Sequence, residues 1–163
     1  SGEILDTPFI EKIIKFNKPL ILSTGMSTVK EIDFIYKFLI KKRFYKFAFM
    51  NCTSEYPPVL KDINLGFIKK MKLRYPKAII GHSDHTVGVF VPSIAAACGA
   101  QIIEKHFTVN PKSRLSDNFF SVTKEQVREI KFNLEKIHQM IYSPDFEKKD
   151  PEKYMKDFKR IIS

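Results

Sequence analysis

The stretch Ala78-Ile79-Ile80-Gly81-His82-Ser83-Asp84-His85 decides the fold. Three apolar residues, two of them β-branched, run into a glycine and then into small and ionisable residues. A short apolar run bounded by turn signals reads as a parallel strand buried on both faces. The polar cluster then sits at the strand's C-terminal end. An Ala-rich segment, residues 91–98, follows and reads as a helix suited to close packing.

The same rhythm repeats on either side. Upstream, Phe47-Ala48-Phe49-Met50 leads into Asn51-Cys52-Thr53-Ser54, Pro57-Pro58 breaks the chain, and residues 65–72 read as a helix. Further upstream, Pro19-Leu20-Ile21-Leu22-Ser23 is a strand, and Thr28-Val29-Lys30-Glu31 is a capping box. That box opens a helix over residues 29–42, with Ile32, Ile35, Phe38 and Leu39 at helical spacing. Downstream, Ile102-Ile103-Glu104 is the fourth strand, followed by Lys105-His106-Phe107-Thr108. A long loop ends in a second capping box, Thr123-Lys124-Glu125-Gln126, whose helix runs to about Ile141. Residues 1–143 form one domain, and residues 144–163 form a charged tail expected to be helical at its end.

Four strand–helix units predict an α/β fold with a parallel sheet covered by helices. A closed eight-stranded barrel needs about 250 residues, and the chain has 163. The expectation is half of a (β/α)8 barrel, with a small open sheet as the alternative.

Composition narrows the function classes. The formal charge is +10, which suits nucleic acid, a membrane surface or small anionic substrates. The lysines are scattered, as at Lys12, Lys15, Lys30 and Lys37, and no basic stripe interleaves with aromatics. That favours small anions over nucleic acid. Two cysteines, Cys52 and Cys98, make no disulfide framework, and no apolar run reaches transmembrane length. A reducing cytoplasm is the expected compartment. The chain opens on Ser1-Gly2-Glu3 without Met, as a piece of a longer protein would.

In every unit the polar cluster follows the strand's C-terminal end, the edge where parallel α/β folds place ligands. His85 and His106 end consecutive strands. Strands lie about 4.8 Å apart, so two imidazoles there can converge on one divalent ion such as Mn or Zn. Asp84 and Glu104 stand beside them as orienting groups or further ligands. Structural histidines at strand ends would give the same pattern. His82 and His138 lack this context and read as structural or surface residues.

The order of these clusters resembles the sialic acid synthase family. The resemblance is carried by Ser1-Gly2-Glu3, Ile21-Leu22-Ser23-Thr24-Gly25-Met26, Asn51-Cys52-Thr53-Ser54-Glu55-Tyr56-Pro57, Gly81-His82-Ser83-Asp84-His85-Thr86 and Ile103-Glu104-Lys105-His106-Phe107-Thr108. It implies a (β/α)8 barrel in which these are units five to eight, with Ser1-Gly2-Glu3 ending the fourth strand. It implies that phosphoenolpyruvate condenses with N-acetylmannosamine or a related N-acetylated amino sugar, giving a nonulosonic acid and phosphate. His85 and His106 look like the ligands of a divalent metal, Mn2+ or Mg2+. Ser1, Ser23, Ser54 and Ser83 fall where the family binds phosphoenolpyruvate. Tyr56 and Asp117 fall where it grips the sugar, and Glu3 looks like the carboxylate beside the reacting aldehyde.

Two departures bear on this. The loop before the last helix reads Leu115-Ser116-Asp117-Asn118-Phe119-Phe120-Ser121 and lacks the Glu-Pro common in the family, which affects the choice of sugar. Barrel units one to four and the antifreeze-like domain, which supplies an Arg across the family's homodimer, are outside the sequence. The chain alone is therefore expected to be inactive. The competing expectations are a non-catalytic half-barrel remnant and a basic nucleic-acid-binding domain.

Overall fold

A computed structural model describes residues 2–112 and 116–142. Ser1 and the tail over residues 144–163 lie outside the described residues. Five helices and four strands alternate after a first helix: α1 (Thr7–Ile14), β1 (Leu20–Ser23), α2 (Val29–Lys41), β2 (Phe47–Cys52), α3 (Gly66–Arg74), β3 (Ile79–Asp84), α4 (Phe90–Ala97), β4 (Ile103–Lys105) and α5 (Lys124–Ile141). Single 3-10 turns at Leu60–Asp62 and Ser116–Phe119 punctuate the loops. The four strands form one parallel sheet in sequential order, β1-β2-β3-β4. It is the curled half-barrel expected from the four-unit rhythm.

Local chemistry accounts for the elements. Both capping boxes form: Thr28 caps α2 with Glu31 reaching back, and Thr123 caps α5 with Gln126 reaching back. The first helix, α1, was not foreseen. Its signals are Asp6, whose carboxylate accepts from the Phe9 amide at 2.9 Å, and Pro8 in the first turn. The third strand is longer than its apolar run, continuing through Gly81, His82, Ser83 and Asp84.

Side chains alternate across a sheet, and the register sorts them into rows. The outer face carries Leu22-Phe49-Ile80, then Asn51-His82-Ile103, then Asp84-Lys105. Its apolar rows pack beneath the helices with Ile32, Ile35, Leu39, Ile68, Met71 and Tyr75. Phe49 is fully buried among Phe47, Tyr36 and Tyr75, its ring 5.4 Å from those of Phe47 and Tyr75. The Tyr75 hydroxyl donates to Asp33, which Arg74 also holds, tying α3 to α2.

The inner face climbs from apolar to polar. Its rows are Ile21-Ala48-Ile79, then Ser23-Met50-Gly81, then Cys52-Ser83-Glu104. The polar end of this gradient is the rim, where the histidines stand.

Candidate active site at the rim of strands three and four

His85 and His106 leave the ends of β3 and β4 and meet, their ring centres 5.3 Å apart and edge to face. Tyr56 covers His85 at 4.2 Å, and Phe120 closes the other side at 4.8 Å from His106. The four rings make one cluster, since Phe120 also lies 5.7 Å from Tyr56. Asp117 stands 3.9 Å from His106 Nδ1.

The hydrogen bond of His85 fixes its chemistry. Its Nδ1 lies 3.0 Å from the backbone carbonyl of Thr53. A carbonyl can only accept, so Nδ1 carries a proton, and in the neutral ring it is Nε2 that keeps the lone pair. A backbone carbonyl behind the ring is the usual support of a metal-binding imidazole. Two imidazoles on one ion, with metal–nitrogen bonds of about 2.1 Å, have ring centres no more than about 6.5 Å apart. The observed 5.3 Å is within that span. Among the described residues no group of three or more His, Cys, Asp or Glu side chains is arranged to hold a metal. The histidine pair is thus the imidazole set that a divalent ion at this rim would have to use among the described residues.

Asp84 and Glu104 are engaged elsewhere. Glu104 accepts the Ser83 hydroxyl at 2.6 Å across the inner face. Asp84 points to the outer face, where Lys105 Nζ lies at 2.7 Å and both the amide and hydroxyl of Thr86 donate to it at 3.0 Å. His82 is also on that side. It donates from Nδ1 to the Asn51 carbonyl at 3.0 Å, and burial pushes its imidazole below the ordinary value against the pull of Asp84. It is a buried histidine on the face opposite the rim pair, its side chain 1% exposed. His138 is exposed on α5, stacked near Tyr142 at 4.9 Å.

The other predicted residues distribute along the rim. Ser54 follows β2, and its hydroxyl is buried without a hydrogen-bond partner among the described residues. Ser23 ends β1, where it lines a cavity of about 200 Å3 together with Glu3. Glu3 and Ser23 thus sit at the far edge of the sheet, with β2 between them and the histidine strands. Ser1 lies outside the described residues. Tyr56 is half-exposed; desolvation of its buried part, then Cys52, Asp117 and Glu104, raises its phenol above the usual range and keeps it neutral. Phe120 was missed as a site residue. Its position in a long loop carries no period, and only the fold brings it to the histidines.

A curled parallel sheet with its polar side chains at the strand C-terminal ends defines one half of a TIM barrel. A truncated 3-deoxy-D-arabino-heptulosonate 7-phosphate synthase from Thermotoga maritima shares this fold at TM-score 0.73 over 86% of this chain and 56% of that one. The two are 16% identical, so the likeness is one of fold. The chain belongs to the NeuB family, whose profile matches residues 1–145.

The sialic acid synthetase of Leptospira borgpetersenii, solved with citrate, superposes at TM-score 0.86 with 29% identity, covering 96% of this chain and 54% of that one. The N,N'-diacetyllegionaminic acid synthase of Campylobacter jejuni is 36% identical over 130 residues, 78% of this chain and 39% of that protein. The N-acetylneuraminate-9-phosphate synthase of Drosophila melanogaster is 33% identical over 128 residues, 78% of this chain and 34% of that protein. The chain thus spans well under half the length of these curated relatives.

Proposed function

We propose that the protein to which this chain belongs condenses phosphoenolpyruvate with an N-acetylated amino sugar, giving a nonulosonic acid and inorganic phosphate. The observation that carries this reading is the meeting of His85 and His106 at the rim, with the His85 Nε2 lone pair held available by the Thr53 carbonyl. The relatives, named as synthases of sialic and legionaminic acids, supply the reaction class.

In the proposed reaction, carbon 3 of phosphoenolpyruvate bonds to the open-chain aldehyde carbon of the sugar. Water adds at carbon 2, and phosphate departs with cleavage of its carbon–oxygen bond. His85 and His106 would hold a divalent ion, Mn2+ or Mg2+, which supplies Lewis acidity at the aldehyde oxygen. The buried Ser54 hydroxyl, aimed at no protein partner among the described residues, is a ready donor to the anionic substrate. Ser23 and Ser83 join it along the rim, as would Ser1. Ser83 must release Glu104 to donate to phosphate, so substrate entry would exchange one acceptor for another. Tyr56 and Asp117, flanking the two histidines, are assigned to the sugar. Glu3, at the far edge, is assigned to the proton of the new hydroxyl. The net positive chain favours a multiply charged anion.

The test is made in the intact protein, with Mn2+, phosphoenolpyruvate and N-acetylmannosamine, scoring phosphate release. His85→Ala and His106→Ala should each lower turnover by more than about 100-fold, and His138→Ala should leave it unchanged. Near-normal metal-dependent turnover in either rim variant would remove both histidines from the reaction.

A further inference from the structure

Asp84 and Lys105 are the last register pair between β3 and β4. Each immediately precedes one of the rim histidines. Alternation puts their side chains on the outer face, opposite Ser83 and Glu104. There they form an ion pair with side chains 1% and 5% exposed. Burying two charges costs more solvation than their attraction reliably returns, so such a pair is a weak stability device and a strong geometric one.

Its further bonds show what it holds. Asp84 accepts the amide and the hydroxyl of Thr86, both at 3.0 Å. Lys105 Nζ donates to the Thr86 carbonyl as well as to Asp84. Thr86 is thus gripped at its amide, carbonyl and hydroxyl, and His85 is suspended between two fixed neighbours. On the other strand, the His106 carbonyl accepts the Val122 amide at 2.8 Å. His106 is therefore anchored on one side by Lys105 and on the other by the segment leading into α5.

We infer that Asp84, Lys105 and Thr86 form a positioning clamp that sets the spacing of His85 and His106 from the far side of the sheet. Asp84 and Lys105 are positioning residues, touching neither substrate nor metal. The inference rests on the metal reading proposed above. It predicts that the spacing of the rings, and with it the Nδ1–H form of His85, depends on a charge pair the rim never contacts.

The experiment uses the intact protein with Lys105→Met, Asp84→Asn and the double variant Asp84→Asn/Lys105→Met, which leaves no unpaired buried charge. Two readouts are taken at 25 °C on samples with native near-ultraviolet circular dichroism: the Mn2+ dissociation constant by electron paramagnetic resonance, and the His85 tautomer by long-range 1H–15N correlation without metal. The expected result is a dissociation constant raised about 10- to 100-fold, together with loss of the Nδ1–H bias at His85. Lys105→Arg, which keeps the charge, should restore part of both. Folded variants with wild-type affinity and wild-type tautomer would overturn the clamp, as would failure of both Lys105→Met and the double variant to fold, which would make the pair a stability element. If wild-type protein binds no Mn2+ through its histidines while the tautomer still responds to Lys105→Met, the clamp stands and the metal reading falls.

Discussion

The two faces of the sheet differ in how completely this chain covers them. On the outer face the row Leu22-Phe49-Ile80 disappears under α2 and α3, with Phe49 and Ile80 fully buried. On the inner face the row Ile21-Ala48-Ile79 leaves Ile21 51% and Ile79 46% exposed. The outer face is a finished core made from local strand–helix contacts. The inner face is the lumen side of a barrel, and among the described residues its row keeps both flanking isoleucines about half exposed, with only the small Ala48 between them buried. Sequence neighbours therefore build the fold's scaffold, whereas the described residues of these four units leave the lumen row half open.

The largest test of this contrast is Phe49→Ala. Removing a fully buried ring from between Phe47 and Tyr75 should cost about 3–5 kcal/mol, as large-to-small core changes do. Urea unfolding followed by circular dichroism would read it. A loss below about 1 kcal/mol would mean that the outer face is not the principal core.

A second test lies one row higher on the inner face, where the lumen side is already tight. A Cβ on Gly81 would fall 2.5 Å from Met50 Sδ and 2.8 Å from the Ile102 carbonyl oxygen. The sulfur lies near the end of a flexible side chain and can yield, but the carbonyl is backbone just before β4, held by the His82 amide at 2.8 Å, and cannot. Gly81→Ala should therefore destabilise by about 1–3 kcal/mol, the usual range for overpacking. Met50→Ala should not rescue it, because the backbone clash remains. Full rescue in the double variant would show that Met50 alone fills the row.

The same contrast explains what the sequence discloses. The four strands were legible because short apolar runs ending in turn residues have few other readings, and the capping boxes at Thr28 and Thr123 fixed two helix starts. The extension of β3 through His82, Ser83 and Asp84 was not legible, because polar residues after a glycine look like a loop. They remain in the strand because His82 and Asp84 find buried partners on the outer face, in Asn51 and Lys105. The pairing of His85 with His106 followed from strand order alone. The bond between Ser83 and Glu104 and the ring of Phe120 depend on register and on a loop's path, which no spacing encodes. The roles of Glu3 and Ser23 came from the resemblance, and the sheet places Ser23 on β1, two strands from that of His85 and three from that of His106, with Glu3 beside it.

The smallest effect on stability, and the sharpest on the comparison, is expected at the open row. Ile21→Thr and Ile79→Thr keep β-branching, so strand preference is preserved. Each side chain is about half in solvent, so little apolar area is lost from the folded state, and unfolding of this 163-residue chain should change by no more than about 0.5 kcal/mol per site. The exposed isoleucines form a contiguous apolar row beside Ala48, and such rows drive association. Sedimentation of the chain should show self-association that weakens in the double variant Ile21→Thr/Ile79→Thr. In the intact protein, if the row is covered there, the same pair of changes should cost about 2 kcal/mol or more in total, because each replaces a buried methyl-bearing group by a hydroxyl. Equal, small costs in both settings would mean that the lumen row is open in the intact protein too, and the contrast between the faces would not arise from missing cover.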